Sequence, residues 1–150
     1  MKEIRNVAIV GAGTMGHSLA QAFAQGGYNV WLNDLKEEIL SKAMSLIASN
    51  LMTQVELGFL EKSQQASILQ RIQTRTKIAE AGEKADFVVE AIIEDAGAKK
   101  EMFQTLDEIY GFMLHEYAAR FGTVLRVIAD GDNHPFVFHS NCCSRSPATK

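Results

Sequence analysis

The stretch Asn6-Val7-Ala8-Ile9-Val10-Gly11-Ala12-Gly13-Thr14-Met15-Gly16 decides the fold, together with Asp34 at the end of the next apolar segment. Val7 to Val10 is a continuous apolar run of the kind buried on both faces of a parallel sheet. Gly11, Gly13 and Gly16 then space a G-x-G-x-x-G turn. Met15, Leu19 and Phe23 follow at i, i+4 and i+8, with Ala20 and Ala24 beside them, which is one helical face. Gly26-Gly27 stops that helix. Val30-Trp31-Leu32 reads as a second strand, ended by Asp34. Strand, glycine turn, helix, strand and acid is the order that a dinucleotide needs. Gly11 makes the tight turn, Gly13 lets the backbone approach a pyrophosphate, and Gly16 lets the helix pack close to the strand. The helix N-terminus offers unpaired N–H groups and partial positive charge to phosphates. The Asp34 carboxylate suits the hydroxyls of an adenine ribose and repels a 2′-phosphate, so the pattern favours NAD over NADP. Glycines alone are weak evidence, since turns use them freely; the flanking strand, helix and acid make the motif specific.

Composition narrows the rest. A chain of 150 residues is one domain by size and large enough for its own core. With 47% apolar and 22% charged residues it reads as globular. The net charge of −3, without a basic cluster, argues against nucleic acid as a partner. No apolar run approaches membrane-spanning length. The first strand begins within a few residues of Met1, which predicts no signal or transit peptide. Cys142 and Cys143 are adjacent and poorly placed to bridge each other, which predicts a reducing, cytoplasmic setting. No zinc-type spacing of His, Cys or acids occurs, so no metal is expected.

After Asp34 the pattern does not go straight to a third strand. Lys36 to about Gln54 reads as a long helix with Ile39, Ala43, Leu46, Ile47 and Leu51 on one stripe. Gly58 breaks it. Glu61 to about Gln73 reads as a second helix carrying Ala66, Leu69 and Ile72, and a short strand is expected near Lys77-Ile78. Asp86 to Ile93 is the clearest strand after the first, with Glu94 and Asp95 at its C-terminal end, the edge where ligands bind in an open parallel sheet. A helix from about Ala98 follows, with Met102, Phe103, Leu106, Ile109 and Tyr110 on its apolar face. Thr123 to Ala129 and Phe136 to His139 read as further strands around an Asp130-Gly131-Asp132-Asn133 turn. The expected fold is α/β, a Rossmann-type doubly wound, mainly parallel sheet with a helical pair inserted after the second strand.

Three segments resemble a known family. They are VAIVGAGTMGHSLAQAFAQGGY at Val7 to Tyr28, VWLND at Val30 to Asp34, and ADFVVEAIIEDAGAKKEMF at Ala85 to Phe103. They resemble the NAD-binding domain of 3-hydroxyacyl-CoA dehydrogenases, including the 3-hydroxybutyryl-CoA dehydrogenases, over roughly residues 4 to 109. The Glu-Ala-x-x-Glu-Asp and Lys-Lys-Glu-x-Phe combination is far more specific than the glycine motif. The resemblance implies that Gly11, Gly13 and Gly16 lie under the pyrophosphate of NAD, with Ala12, Thr14 and Met15 filling the turn. It also implies that Asp34 holds the adenosine ribose, that Ala91 and Ile92 pass beside the cofactor, and that Glu94 and Lys99 lie near the nicotinamide ribose. The helical pair around Ser49 to Lys62 corresponds to where the family clasps part of coenzyme A. On residues alone, Glu90 and Asp95 read equally as strand-end polar groups, and Lys99 and Lys100 as solvated helix residues.

The resemblance weakens toward the C-terminus. Ser140-Asn141-Cys142-Cys143-Ser144 looks like the family's Ser-Asn-Thr-Ser-Ser stretch but comes some twenty residues late, and residues 111–135 have no counterpart. If matched, Asn141 touches the nicotinamide end and the family's substrate-contacting serine falls on Cys143. The family's catalytic His and Glu lie beyond that stretch. His115, His134 and His139 are not in the family's histidine context, so no catalytic residue is assigned. The expectation is a single NAD-binding domain over residues 1–150, divergent from 110 onward, with the helical substrate and dimerisation domain absent. Such a chain binds NAD(H) with little turnover, meets acyl-CoA only if completed by a second domain, and is open to forming a homo-oligomer. Two alternatives stay open, a non-catalytic NAD-binding or assembly module and a 3-hydroxyacid dehydrogenase of the phosphogluconate type. The helical pair and Lys99-Lys100 argue against the latter.

Overall fold

In the computed structural model, residues 4–93, 95–110 and 136–139 are described. β1 (Asn6–Val10), β2 (Asn29–Asn33), β3 (Ile72–Arg75), β4 (Phe87–Glu90) and β5 (Phe136–His139) form one sheet in the order β3-β2-β1-β4-β5. Every neighbouring pair is parallel. Helices α1 (Thr14–Gln25), α2 (Glu37–Glu56), α3 (Lys62–Gln70), α4 (Ile78–Gly82) and α5 (Ala96–Tyr110) supply the crossovers. Residues alternate between the faces of a strand, so each strand contributes to two cores. Val7, Ile9, Val30, Leu32 and Val89 pack against Ala20 and Ala24 of α1 and Leu40, Ala43, Ile47 and Leu51 of α2. Ala8, Val10, Trp31 and Val88 pack against Ala81 of α4 and Met102 and Leu106 of α5. This is the doubly wound arrangement that the apolar run in β1 implies.

The chain passes from β3, at one side of β2, to β4 on the far side of β1. That reversal opens a crevice beyond the C-terminal ends of β1 and β4. α1 is terminated by its glycines as the sequence predicts. Gly27 takes φ 91 and closes a Schellman motif: Tyr28 N–H reaches the Phe23 carbonyl and Gly27 N–H that of Ala24, each at 3.1 Å. The Phe23 and Tyr28 rings meet edge-on, 5.8 Å between centroids, across the same turn.

Several expectations are corrected. The strand expected near Lys77-Ile78 is instead Ile72–Arg75, and Ile78 begins α4. The helix expected to reach Gln73 ends at Gln70, and Ile72 pairs with Val30 in the sheet. β3 lies at the sheet edge, and its polar Gln73, Thr74 and Arg75 carry no buried-strand pattern. The α2 stripe is Leu40, Ala43, Ile47 and Leu51, while Leu46 is exposed. On α3 the buried residue is Ile68 and Ala66 is exposed. Met15 is 57% exposed rather than part of the α1 core face. β4 is shorter than Asp86 to Ile93, because Asp86 turns its carboxylate to the N–H groups of Arg5 and Asn6 and the ladder ends at Glu90. The strand expected at Thr123 to Ala129 lies outside the described residues, whereas Phe136–His139 is β5. Among the described residues no helix is long and apolar enough to cross a membrane.

Candidate functional site

The crevice is walled by the turn after β1 on one side and the crossover after β4 on the other. Gly11 takes φ 104, a region that side-chain-bearing residues rarely adopt. A Cβ there would also lie 2.5 Å from the Ala91 carbonyl oxygen. Gly11 therefore serves both the turn and the close approach of Ala91 and Ile92, which brings the two walls into contact. At Gly16 a Cβ would lie 1.8 Å from the Gly11 carbonyl oxygen, so this glycine seats α1 directly on the turn. Gly13 differs from both: a Cβ there meets no protein atom within 4 Å. Its lack of a side chain is not needed by the fold, and it leaves open space at the mouth of the crevice.

Gly13 is also the N-cap of α1, and no side chain caps that helix. No acidic residue lies in its first turn. The N–H groups of the first turn and the positive end of the helix dipole are thus left to a ligand. Thr14 and Met15 are exposed on the same turn. His17 contributes a ring hydrogen bond, its Nδ1 donating to the Gly13 carbonyl at 2.8 Å. The donor set is neutral and backbone-derived, which fits a diphosphate.

Asp34 stands one residue past β2, not within it. Its Oδ2 accepts the Ala12 N–H at 3.0 Å and its Oδ1 the Lys36 N–H at 3.3 Å. The acid thus braces the glycine turn, a role the sequence did not signal. A carboxylate has about four acceptor positions, so two hydrogen bonds leave capacity for ribose hydroxyls. The turn is fixed from the β2 side a second time, because Gly11 N–H donates to the Asn33 carbonyl at 2.8 Å. Asn33 is itself buried and donates to the Arg75 carbonyl.

On the opposite wall, Ala91 N–H still donates to Val10 at 2.8 Å, and Ala91 and Ile92 are half-buried beside Gly11. Lys99 is not a solvated helix residue: its side chain is 12% exposed and its Nζ lies 3.4 Å from Glu90 Oε2. Of the other expected contacts, Glu94, Asn141, Cys143 and Ser144 lie outside the described residues. The stretch from Ser49 to Lys62 is the end of α2 and the turn into α3, with Met52, Leu57 and Phe59 exposed there.

A parallel doubly wound sheet with an uncapped, glycine-lined helix N-terminus at its switch point defines a dinucleotide-binding domain. Residues 6–112 match the family described as 3-hydroxyacyl-CoA dehydrogenase, NAD binding domain. The chain belongs to this family, whose cofactor is NAD. It is 36% identical over 107 residues to a probable 3-hydroxybutyryl-CoA dehydrogenase of Bacillus subtilis, covering 71% of this chain and 37% of that one. It is also 36% identical over 110 residues to a mitochondrial hydroxyacyl-coenzyme A dehydrogenase of Rattus norvegicus, covering 70% of this chain and 35% of the relative. Among solved structures, (S)-3-hydroxybutyryl-CoA dehydrogenase from Ralstonia eutropha is similar with a TM-score of 0.68 at 36% identity, covering 71% of this chain and 38% of that one. 3-Hydroxybutyryl-CoA dehydrogenase from Escherichia coli is similar with a TM-score of 0.69 at 33% identity, covering 72% and 23%. The chain thus spans well under half the length of these relatives.

Proposed function

We propose that this chain is the NAD-binding part of a 3-hydroxyacyl-CoA dehydrogenase, and that its 150 residues bind NAD(H) with little or no turnover by themselves. The observation that carries the reading is the open Gly13 position at an uncapped α1 N-terminus, beside the Asp34 carboxylate. The turn residues Gly11, Ala12, Gly13, Thr14, Met15 and Gly16 hold the pyrophosphate, and Asp34 takes the adenosine ribose. Ala91 and Ile92 pass beside the cofactor, Glu94 and Lys99 serve the nicotinamide ribose, and Asn141 serves the nicotinamide end. When bound, NAD supplies the hydride acceptor for oxidation of an (S)-3-hydroxyacyl-CoA to the 3-oxoacyl-CoA. Proton transfer needs the family's His–Glu pair, which has no counterpart among these residues, and fold without that site does not supply the reaction. The acyl-CoA belongs to a domain that completes the site. A single-domain unit over residues 1–150, in a reducing cytoplasmic setting, goes with this reading.

The test is a calorimetric titration of the purified chain with NADH and then NADPH. Micromolar NADH binding with much weaker NADPH binding is expected. Failure to bind either sinks the reading. In Asp34→Ala the NADH affinity falls and the gap to NADPH narrows, because the repulsion of a 2′-phosphate goes with the carboxylate. Stability falls by about 1 kcal/mol as the Ala12 N–H loses its acceptor. Acetoacetyl-CoA with NADH measures turnover, and a rate comparable with those of full-length dehydrogenases would contradict the second half of the proposal.

A further inference from the structure

Glu90 is the last residue of β4 and is paired in register with Val10, the residue before the glycine turn. It is 1% exposed. Alternation along β4 puts it on the same face as Val88, toward α4 and α5, in a layer otherwise made of Ala8, Val10, Trp31, Met102 and Leu106. Its two oxygens do different things. Oε1 accepts the Ile92 N–H at 2.9 Å, which bends the chain out of β4 so that Ala91 meets Gly11. Oε2 faces Lys99 Nζ at 3.4 Å. Lys99 comes from the first turns of α5 and is drawn in over the strand ends, while its neighbour Lys100 is exposed.

Stability alone does not call for this pair. Two charges taken out of water pay a desolvation cost that their attraction only partly returns, and well-packed apolar residues do as well or better in such layers. The pair also sits at the ligand-facing end of the sheet, beside the crevice. Resting on the NAD-binding reading above, we infer that Glu90 is a positioning residue. It holds the Lys99 ammonium at the crevice, and Lys99 so placed contributes to NAD(H) affinity.

The test is a double-mutant cycle on the 150-residue chain, read by NADH fluorescence titration with thermal unfolding followed in parallel. Glu90→Gln keeps an oxygen for the Ile92 N–H and removes the charge that draws Lys99 inward. It lowers NADH affinity about tenfold where the protein is folded, the scale on which orienting groups act. In a Lys99→Met background the same change has no further effect. Unchanged affinity in Glu90→Gln overturns the assignment, and so does an equal loss in both backgrounds. If Glu90→Gln does not fold, the double variant Glu90→Met/Lys99→Met replaces the pair by apolar groups. Binding equal to that of Lys99→Met supports the inference, and weaker binding overturns it. A double variant that binds as tightly as the wild-type chain overturns it in every case. Absence of NADH binding by the wild-type chain removes the NAD-binding reading itself, and is thereby distinguished from failure of Glu90 alone.

Discussion

The turns after β1 and after β4 occupy matching places in the fold, yet they are finished in opposite ways. Both leave adjacent central strands at the C-terminal edge of the sheet, and both lead into a helix. α5 is capped by its own chain: Asp95 Oδ1 accepts the Ala98 N–H at 2.8 Å, and the Asp95 carbonyl accepts from Lys99 at 3.0 Å. α1 has no side-chain cap, and its N-cap is a glycine facing open space. An anion offered to this edge finds backbone donors free at α1, and at α5 finds a carboxylate already holding the Ala98 N–H. α2 and α4 also lack a side-chain cap but carry glutamates in their first turns. The comparison thus teaches that a helix N-terminus is left open to an anion when it has neither a cap nor a first-turn acid, and that the neighbouring wall is free to be structural.

Substitutions along the two turns break or sharpen this contrast. The largest effect is expected from Gly16→Ala. Its Cβ would collide with the Gly11 carbonyl oxygen, which is backbone and cannot move without displacing the turn. A loss of about 3 kcal/mol or more is expected in urea unfolding, with NADH binding abolished. A variant as stable as wild type would mean that the turn and α1 are not in the contact described.

Gly13→Ala comes next and separates fold from function. Gly13 has φ −68 and ψ −158, which alanine adopts, and the new methyl meets no protein atom. Unfolding should shift by less than about 1 kcal/mol, while NADH affinity drops by roughly tenfold or more as the methyl occupies phosphate space. Unchanged affinity would place the pyrophosphate elsewhere. The smallest effect is expected at the other wall. Asp95→Ala removes the α5 cap, costs about 1 kcal/mol, and leaves NADH affinity near its original value. A rise in affinity for phosphate or NADH in that variant would show that capping alone had kept α5 closed.

Much of this architecture is legible in the residues. β1 reads correctly because a strand buried on both faces is uniformly apolar, and the glycine turn because Gly11 and Gly16 each meet a backbone demand while Gly13 keeps its space open. β5 at Phe136–His139 reads correctly as a short apolar run. β3 is not legible in the sequence because an edge strand needs few apolar residues, and Gln73-Thr74-Arg75 looks like the tail of the preceding helix. The phase of α2 is ambiguous in the sequence at Leu46 because several apolar residues there allow two overlapping stripes, and only the position of the sheet selects Leu40.

The sequence by itself determined that a strand, a glycine turn, a helix and an acid follow in the order of a dinucleotide site, since those demands are local and each falls on a single residue type. Only the tertiary structure decided which glycine serves the fold and which serves the ligand. Gly11 and Gly16 differ from Gly13 in what lies across from their missing Cβ atoms, and Gly11 also in its φ of 104; for Gly11 the neighbour is Ala91, from a distant part of the chain. The same holds for Glu90 and Lys99. As letters they are a strand-end acid and one of two adjacent lysines, and their pairing exists because β4 ends beside β1 while α5 folds back over it.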